Sequence, residues 1–317
     1  MEFRKLISFG KSSFILSLPK GWVEKSNLKK GDSLAVDEKG KDLVISPGSG
    51  SEEKSEEVEV DITNLDRSSL IYVIRALYRR GFDIIKLIFN SPVCIHYRTG
   101  KEKKVISVIH EEVNRLSGME IIQQKDNFCI IKNISEPTIK EFDALLRRIF
   151  LLLMDASNDL VTGAKNNDLV LIETIEEKHN SITKFVSYCL RLMNQKRFPD
   201  PKKEFFLYHT IASIDKITDV IKYAARNMLD YKNKMKKETI SVMENTHNAL
   251  LLYNDMFYKF NINKVKQFSE SKESVKKNII KLSYEKVPKE EMLMVSDMEH
   301  ALEIILDLIE TRISLEY

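Results

Sequence analysis

Two sets of residues in this chain have the types and spacing to do chemistry. The first is acidic. Asp215 and Asp219 lie one helical turn apart in FFLYHTIASIDKITDVIKYAARNMLDY, and Glu299, Glu303, Asp307 and Glu310 step by four, four and three. From Glu290 to Thr311 there are seven carboxylates and no Lys or Arg, in a chain with 50 of those basic residues. Carboxylates one turn apart repel by a few tenths of a kcal/mol per pair, so something positive should offset them. One candidate is a divalent cation, for which hard oxygen ligands favour Mg, Mn or Fe. The expected ligands are Glu299 and Glu303 at one site on the last helix and, at a separate site, Asp215 and Asp219 with His179. The other is a set of interhelical ion pairs from Lys264, Lys266, Lys272, Lys276, Lys277 and Lys281. The second set is basic: Arg4, Lys5, Lys11, Lys20 and Lys29, with Ser12, could meet an anion. Catalysis finds no such footing. Histidines 96, 110, 179, 209, 247 and 300 are scattered without zinc-like or triad-like spacing, so the chain is not expected to be an enzyme.

The acidic groups need helices to carry them. In 205–231, Leu207, Ile211, Ile214, Thr218, Ile221, Ala225 and Met228 step by four and three, which makes one seam of a packed helix. At 100° per residue Asp215 and Asp219 fall on another face, with Tyr208, Lys222 and Arg226. In 169–193, Ile172, Ile175, His179, Ile182, Val186, Cys189 and Met193 repeat the period, so the two segments predict a long helical hairpin. On the seam, His179 reads equally as a buried, hydrogen-bonded histidine. The pattern stays helical from Thr138 to Tyr317: one helix over about 139–161, the two just described, then 240–260, 264–283 and 290–314 after a break at 232–237.

These segments resemble the PhoU family, particularly its archaeal branch. There one helix carries Glu-x-x-x-Asp and the next a pattern like Leu-Glu-Arg-Ile-Ala-Asp. Ile214-Asp215-Lys216-Ile217-Thr218-Asp219 is similar to the second pattern, with both acids kept and Lys for Arg. Over the first lie His179 and Thr183 in place of the two acids. Met298-Glu299-His300-Ala301-Leu302-Glu303 stands where a second repeat would carry its pattern. The resemblance implies two three-helix repeats, 137–231 and 235–317, and a role in phosphate uptake and phosphate homeostasis.

The basic set sits on a different kind of unit. In 1–47, short strands are expected over 2–9, 13–18, from Leu34 to Val36 and over 42–46, with Pro19 opening one helical turn through Trp22 and Val23. So few residues cannot bury an adequate core alone, and the unit should pair with a second copy. It holds nine Lys/Arg against six Asp/Glu. Arg4-Lys5, Gly10-Lys11-Ser12-Ser13, Leu18-Pro19-Lys20, Trp22 and Leu28-Lys29-Lys30-Gly31-Asp32 resemble the AbrB/SpoVT-type swapped-hairpin domain. That resemblance implies an interleaved β-barrel dimer that binds DNA; the bland alternative is a solvated surface on a domain that only dimerises.

Between them, PGSGSEEKSEE over 47–57 reads as a flexible acidic stretch, with the linker itself over 48–57. Residues 58–136 read as a small α/β unit of order β-α-β-α-β-β, for which a ferredoxin-like sandwich is the expectation. A spacer or dimerisation role suits it better than ligand sensing. The bulk numbers fit a multidomain, mainly α, cytoplasmic protein: 43% hydrophobic, 31% charged, net charge +3. No apolar run approaches the ~18–20 residues of a membrane span. The start lacks the apolar core of a signal peptide, and three isolated cysteines read as reduced thiols. The expected function is a homodimeric DNA-binding regulator. The alternative is an adaptor docking on a phosphate transporter or signalling protein.

Overall fold

The computed structural model describes residues 2–11, 13–39, 42–48, 55–135, 139–195, 200–231, 233–283 and 287–317. Ser12, Gly40, most of the linker, positions 136 to 138 and Lys232 lie outside them. The chain forms two compact units, Met1–Ser55 and Glu56–Tyr317.

In the first unit, β1 (Ile7–Phe9) pairs antiparallel with β2 (Ser13–Ile15), and β3 (Leu34–Lys39) with β4 (Asp42–Pro47). Gly10 turns the first hairpin at φ 70°, a left-handed value that suits glycine. Helix α1 (Lys20–Lys25) follows Pro19, whose carbonyl accepts from Trp22 and Val23. The expected barrel is not closed by one chain: the described strands form two separate two-stranded ladders. Strands of three and six residues are too short and too few to curl around a core of their own.

In the second unit, β5 (Glu57–Asp61) leads through α2 (Arg67–Arg80) to β6 (Ile84–Ile88). Asp66 caps α2 by accepting from Ser68 and Ser69, and Gly81 ends it at φ 110°. A hairpin, β7 (Val93–His96) and β8 (Lys101–Lys104), precedes α3 (Val105–Val113), then β9 (Met119–Lys125) and β10 (Phe128–Asn133). The sheet order is β5-β6-β10-β9. This corrects the ferredoxin-like expectation. A ferredoxin-like sandwich runs β-α-β-β-α-β; here the 14-residue α2 joins β5 to β6 as parallel neighbours, and β9 and β10 close as an antiparallel hairpin. Leu70, Ile74, Ile85, Leu87, Val108, Ile109 and Ile131 form the core beneath the helices.

Six long helices follow: α4 (Phe142–Asn166), α5 (Leu169–Gln195), α6 (Pro201–Tyr231), α7 (Lys237–Tyr258), α8 (Val265–Ser283) and α9 (Lys289–Glu316). Asn167 ends α4 in the left-handed region at φ 52°, and Asp168 accepts from Leu171 to start α5. The predicted seams are buried: Ile172, Ile175, Ile182, Val186, Cys189 and Met193 on α5, and Ile211, Ile214, Ile221, Ala225 and Met228 on α6. The two triplets share one core, and α6 packs most extensively on α9, across the expected repeat boundary.

Candidate functional site

The basic side chains of the first unit lie on a surface with no buried residue among those described. Lys5, Lys11, Lys20 and Lys29 are exposed. Arg4 donates to Ser17 Oγ at 3.3 Å and pairs with Glu2, and Lys20 lies 3.7 Å from Glu24. Lys5, Lys11 and Lys29 make no side-chain ion pair among the described residues, so their charge is available to an anion. Ser12 lies outside those residues.

The apolar side chains beside them are uncovered as well. Phe3, Leu6, Ile7, Phe9, Phe14, Ile15, Val36 and Leu43 are all exposed, Phe3 to 89%. The β1–β2 register sets Ile7 opposite Ile15 and Ser8 opposite Phe14, so the short ladder carries apolar groups on both faces. A ribbon apolar on both faces is built to be enclosed.

Residues 7–53 match the family model for antidote-toxin recognition MazE, bacterial antitoxin. The N-terminal unit is therefore a MazE/AbrB-like domain. The match ends at residue 53 and no PhoU family match accompanies it, so for the helical body the PhoU likeness rests on the sequence pattern alone. No curated protein and no solved structure matches the chain.

The acidic candidates of the body meet cations from the same chain. Asp215 Oδ2 accepts from Arg79 Nη2 at 2.7 Å and its Oδ1 from Thr183 at 3.0 Å. Asp219 Oδ1 accepts from Lys222 Nζ at 2.6 Å and lies 2.9 Å from His179 Nε2. Lys222 Nζ is also 2.9 Å from His179 Nε2, so the ring accepts from Lys222 when neutral there and donates to Asp219 when protonated. Burial opposes ionisation of Asp219, but the hydrogen bonds from His179 and Lys222 outweigh it and hold the carboxyl well below the usual range. Burial likewise pushes the Lys222 ammonium down, against the pull of Asp219. Next along, Arg226 grips Glu176 with bonds of 2.9 and 2.6 Å.

Glu299 and Glu303 are not joined to this network. Glu303 pairs with Lys272 of α8 at 3.1 Å, and Glu299 makes no ion pair among the described residues. Of the other α8 lysines, Lys266 and Lys276 pair within their own helix, and Lys264 at its approach pairs with Asp255. Among the described residues no three His, Cys, Asp or Glu side chains converge as a metal would need. The observed partners of Asp215 and Asp219 are Arg79 and Lys222.

Sequence reasoning missed the partner surface on α2. His179, Thr183, Ser187, Arg191 and Gln195 recur every fourth residue along α5, and four of the five are buried. Ser187 Oγ accepts from Arg79 at 3.0 Å. Arg191, 1% exposed, donates to the carbonyls of Tyr78 and Phe82 at 2.9 and 2.8 Å and to Asp83 at 3.0 Å, with its guanidinium 4.8 Å from the Tyr78 ring centroid. Gln195 donates to the Gly81 carbonyl at 2.8 Å, where a Cβ on Gly81 would approach Gln195 Cγ to 2.9 Å. The signal was present as a step-four run of polar residues along α5.

Proposed function

We propose that this chain is a homodimeric DNA-binding regulator whose N-terminal domain pairs with a second copy and lays Arg4, Lys5, Lys11, Lys20 and Lys29 along duplex phosphates. The observation that carries the proposal is the exposed apolar ribbon, beside unpaired lysines, in a MazE/AbrB-like domain with no buried residue among those described. A second copy would cover the ribbon and double the cations about a two-fold axis. Phosphate contacts give affinity and little base choice, so the domain would select DNA chiefly by shape. The helical body would carry the sensing role, and the PhoU resemblance ties its signal to phosphate uptake and phosphate homeostasis.

The experiment is binding of the full chain to promoter duplex at several salt concentrations, with the dimer checked independently. Each phosphate contact steepens the salt dependence by about 0.9 log units per tenfold salt. Replacing Arg4 and Lys5 by Ala should flatten that slope and leave the dimer intact. No binding at about 50 mM salt by a confirmed dimer would remove the proposal. A transcript comparison of a deletion strain in high and low phosphate tests the signal separately.

A second reading has one observation in its favour. The matched family description is one of antidote-toxin recognition, and an apolar ribbon suits a protein surface. On that reading the head only dimerises, and the helical body docks as an adaptor on a phosphate transporter or signalling protein. A dimer blind to DNA would favour it.

A further inference from the structure

We propose that the β7–β8 hairpin is a second contact for the phosphate backbone of duplex DNA, on the larger unit of the chain. The proposal rests on the DNA-binding reading above and adds a site that the N-terminal domain does not contain.

The hairpin reads His96-Tyr97-Arg98-Thr99-Gly100-Lys101-Glu102-Lys103-Lys104, with four Lys/Arg against the single acid Glu102. Its register pairs Val93 with Lys104, Cys94 with Lys103, Ile95 with Glu102 and His96 with Lys101. The turn is fixed: His96 O accepts from the amides of Thr99 and Gly100 at 3.0 and 2.9 Å, and Gly100 sits at φ 64°. Cys94 is buried and Val105, directly after β8, is buried, so the base of the ribbon is anchored in the α/β core while its tip stands in solvent.

The charges divide by partner. Lys103 bonds Glu111 at 2.8 Å, and Glu111 also takes Arg67 at 2.9 Å. Arg98, Lys101 and Lys104 are exposed and have no ion pair among the described residues. Tyr97 beside them is 77% exposed, a phenol placed to donate to a phosphate oxygen. The acids nearby are Glu102, Glu111 and Asp66; Glu111 is already shared by two cations, and Asp66 caps α2. Burial, and then the charges of Arg67, Lys103 and Arg98, hold the His96 imidazole below its ordinary value, as a positive local field would. A strand of Lys-Glu-Lys-Lys also carries no apolar pattern of its own to pack. Alternation sets Lys101 and Lys104 on opposite faces of the ribbon with Arg98 at its turn, so the three free cations surround the tip, and duplex DNA is the polyanion already implied by the N-terminal domain.

The test uses the full chain on one duplex, with log affinity measured against log salt. Four proteins are compared: the parent, Arg98→Ala with Lys101→Ala and Lys104→Ala, a head variant with Arg4→Ala and Lys5→Ala, and a control removing Lys276, Lys277 and Lys281. The hairpin variant should shallow the slope by about 0.9 for each phosphate no longer neutralised, equally on different sequences, while the control leaves it unchanged. A matching set with Gln in place of Ala guards against misfolding of the hairpin. A hairpin slope equal to the parent's, with a shallower head variant, overturns this proposal and leaves the head. A shallower hairpin variant with an unchanged head variant does the reverse. Equal losses in hairpin and control reduce the effect to net charge and overturn it. So does a loss confined to single strands. A parent that binds no duplex removes both.

Discussion

Phe14 in the N-terminal unit is 67% exposed, while Phe150 in α4 is 1% exposed and packs tilted on Phe257 at 4.8 Å. The same side chain meets opposite circumstances because the two units differ in what a single copy can enclose. Surface grows more slowly than volume, so a unit of some fifty residues leaves much of its apolar area outside, whereas one several times larger closes over it. The larger unit accordingly shares one continuous core through all six long helices, and the smaller has none among its described residues. Apolar content alone therefore does not make a unit complete; the small unit leaves its ribbon uncovered where the large one encloses its own.

That contrast can be broken most forcefully at the ribbon. Phe9→Glu with Phe14→Glu should abolish dimerisation and weaken duplex binding by about 100-fold or more, since two linked half-sites become one, while the helical circular dichroism stays unchanged. A dimer that survives the charges would place its interface elsewhere. The second test is thermal: the full chain should melt in two steps, the head's rising with protein concentration and the body's not. A single concentration-independent transition would erase the distinction.

Smaller effects sharpen the other side. Arg191→Ala removes a buried guanidinium that donates to the Tyr78 and Phe82 carbonyls and to Asp83, which keeps its bond from Gln195, and should cost the larger unit about 3 kcal/mol, read as urea unfolding. Asp219→Asn should cost about 2 kcal/mol at neutral pH. Because the folded carboxyl is held below its ordinary value, its contribution is present above about pH 3.9 and lost as pH falls through the folded value. The gap between parent and variant should therefore narrow only below about pH 4; a constant gap would mean the charge is not what matters. Smallest of all, Glu303→Gln removes a half-exposed pair with Lys272 and should cost under about 1 kcal/mol, with or without added Mn. A gain in melting temperature on adding Mn, lost in the variant, would instead assign the acidic stripe a cation.

Most of the helical body could be read from residue spacing, because a step of three and four is both a pattern in sequence and the seam of a packed helix. Ile211, Ile214 and Ile221 announce their burial in this way. That the head would lack an adequate core of its own was also legible, from its length against its strands. The sheet was not. Whether β5 lies beside β6 or apart from it depends on where α2 returns the chain, and nothing in Val58 or Val60 encodes a neighbour. The β7–β8 hairpin escaped for a related reason: β8 is all charge, so no alternation marks it. At the acidic site, spacing located Asp215 and Asp219 and suggested something positive. That Arg79, 136 residues away, would supply it for Asp215 is a fact of tertiary packing.

The step-four row on α5 has one more consequence, for sliding. If α2 slipped along α5 by a single helical turn, about 5.4 Å, Arg79 would leave Ser187 and face either Thr183 or Arg191. In one direction it meets a hydroxyl already committed to Asp215; in the other, two guanidiniums meet without a carboxylate between them. The three rungs that meet α2 and the turn after it, Ser187, Arg191 and Gln195, carry different side chains, and the present alignment satisfies all three. A uniform row of serines would bond equally well at several heights. This one works as a keyed rail, so motion between the α/β layer and the helices is confined to leaving the rail altogether.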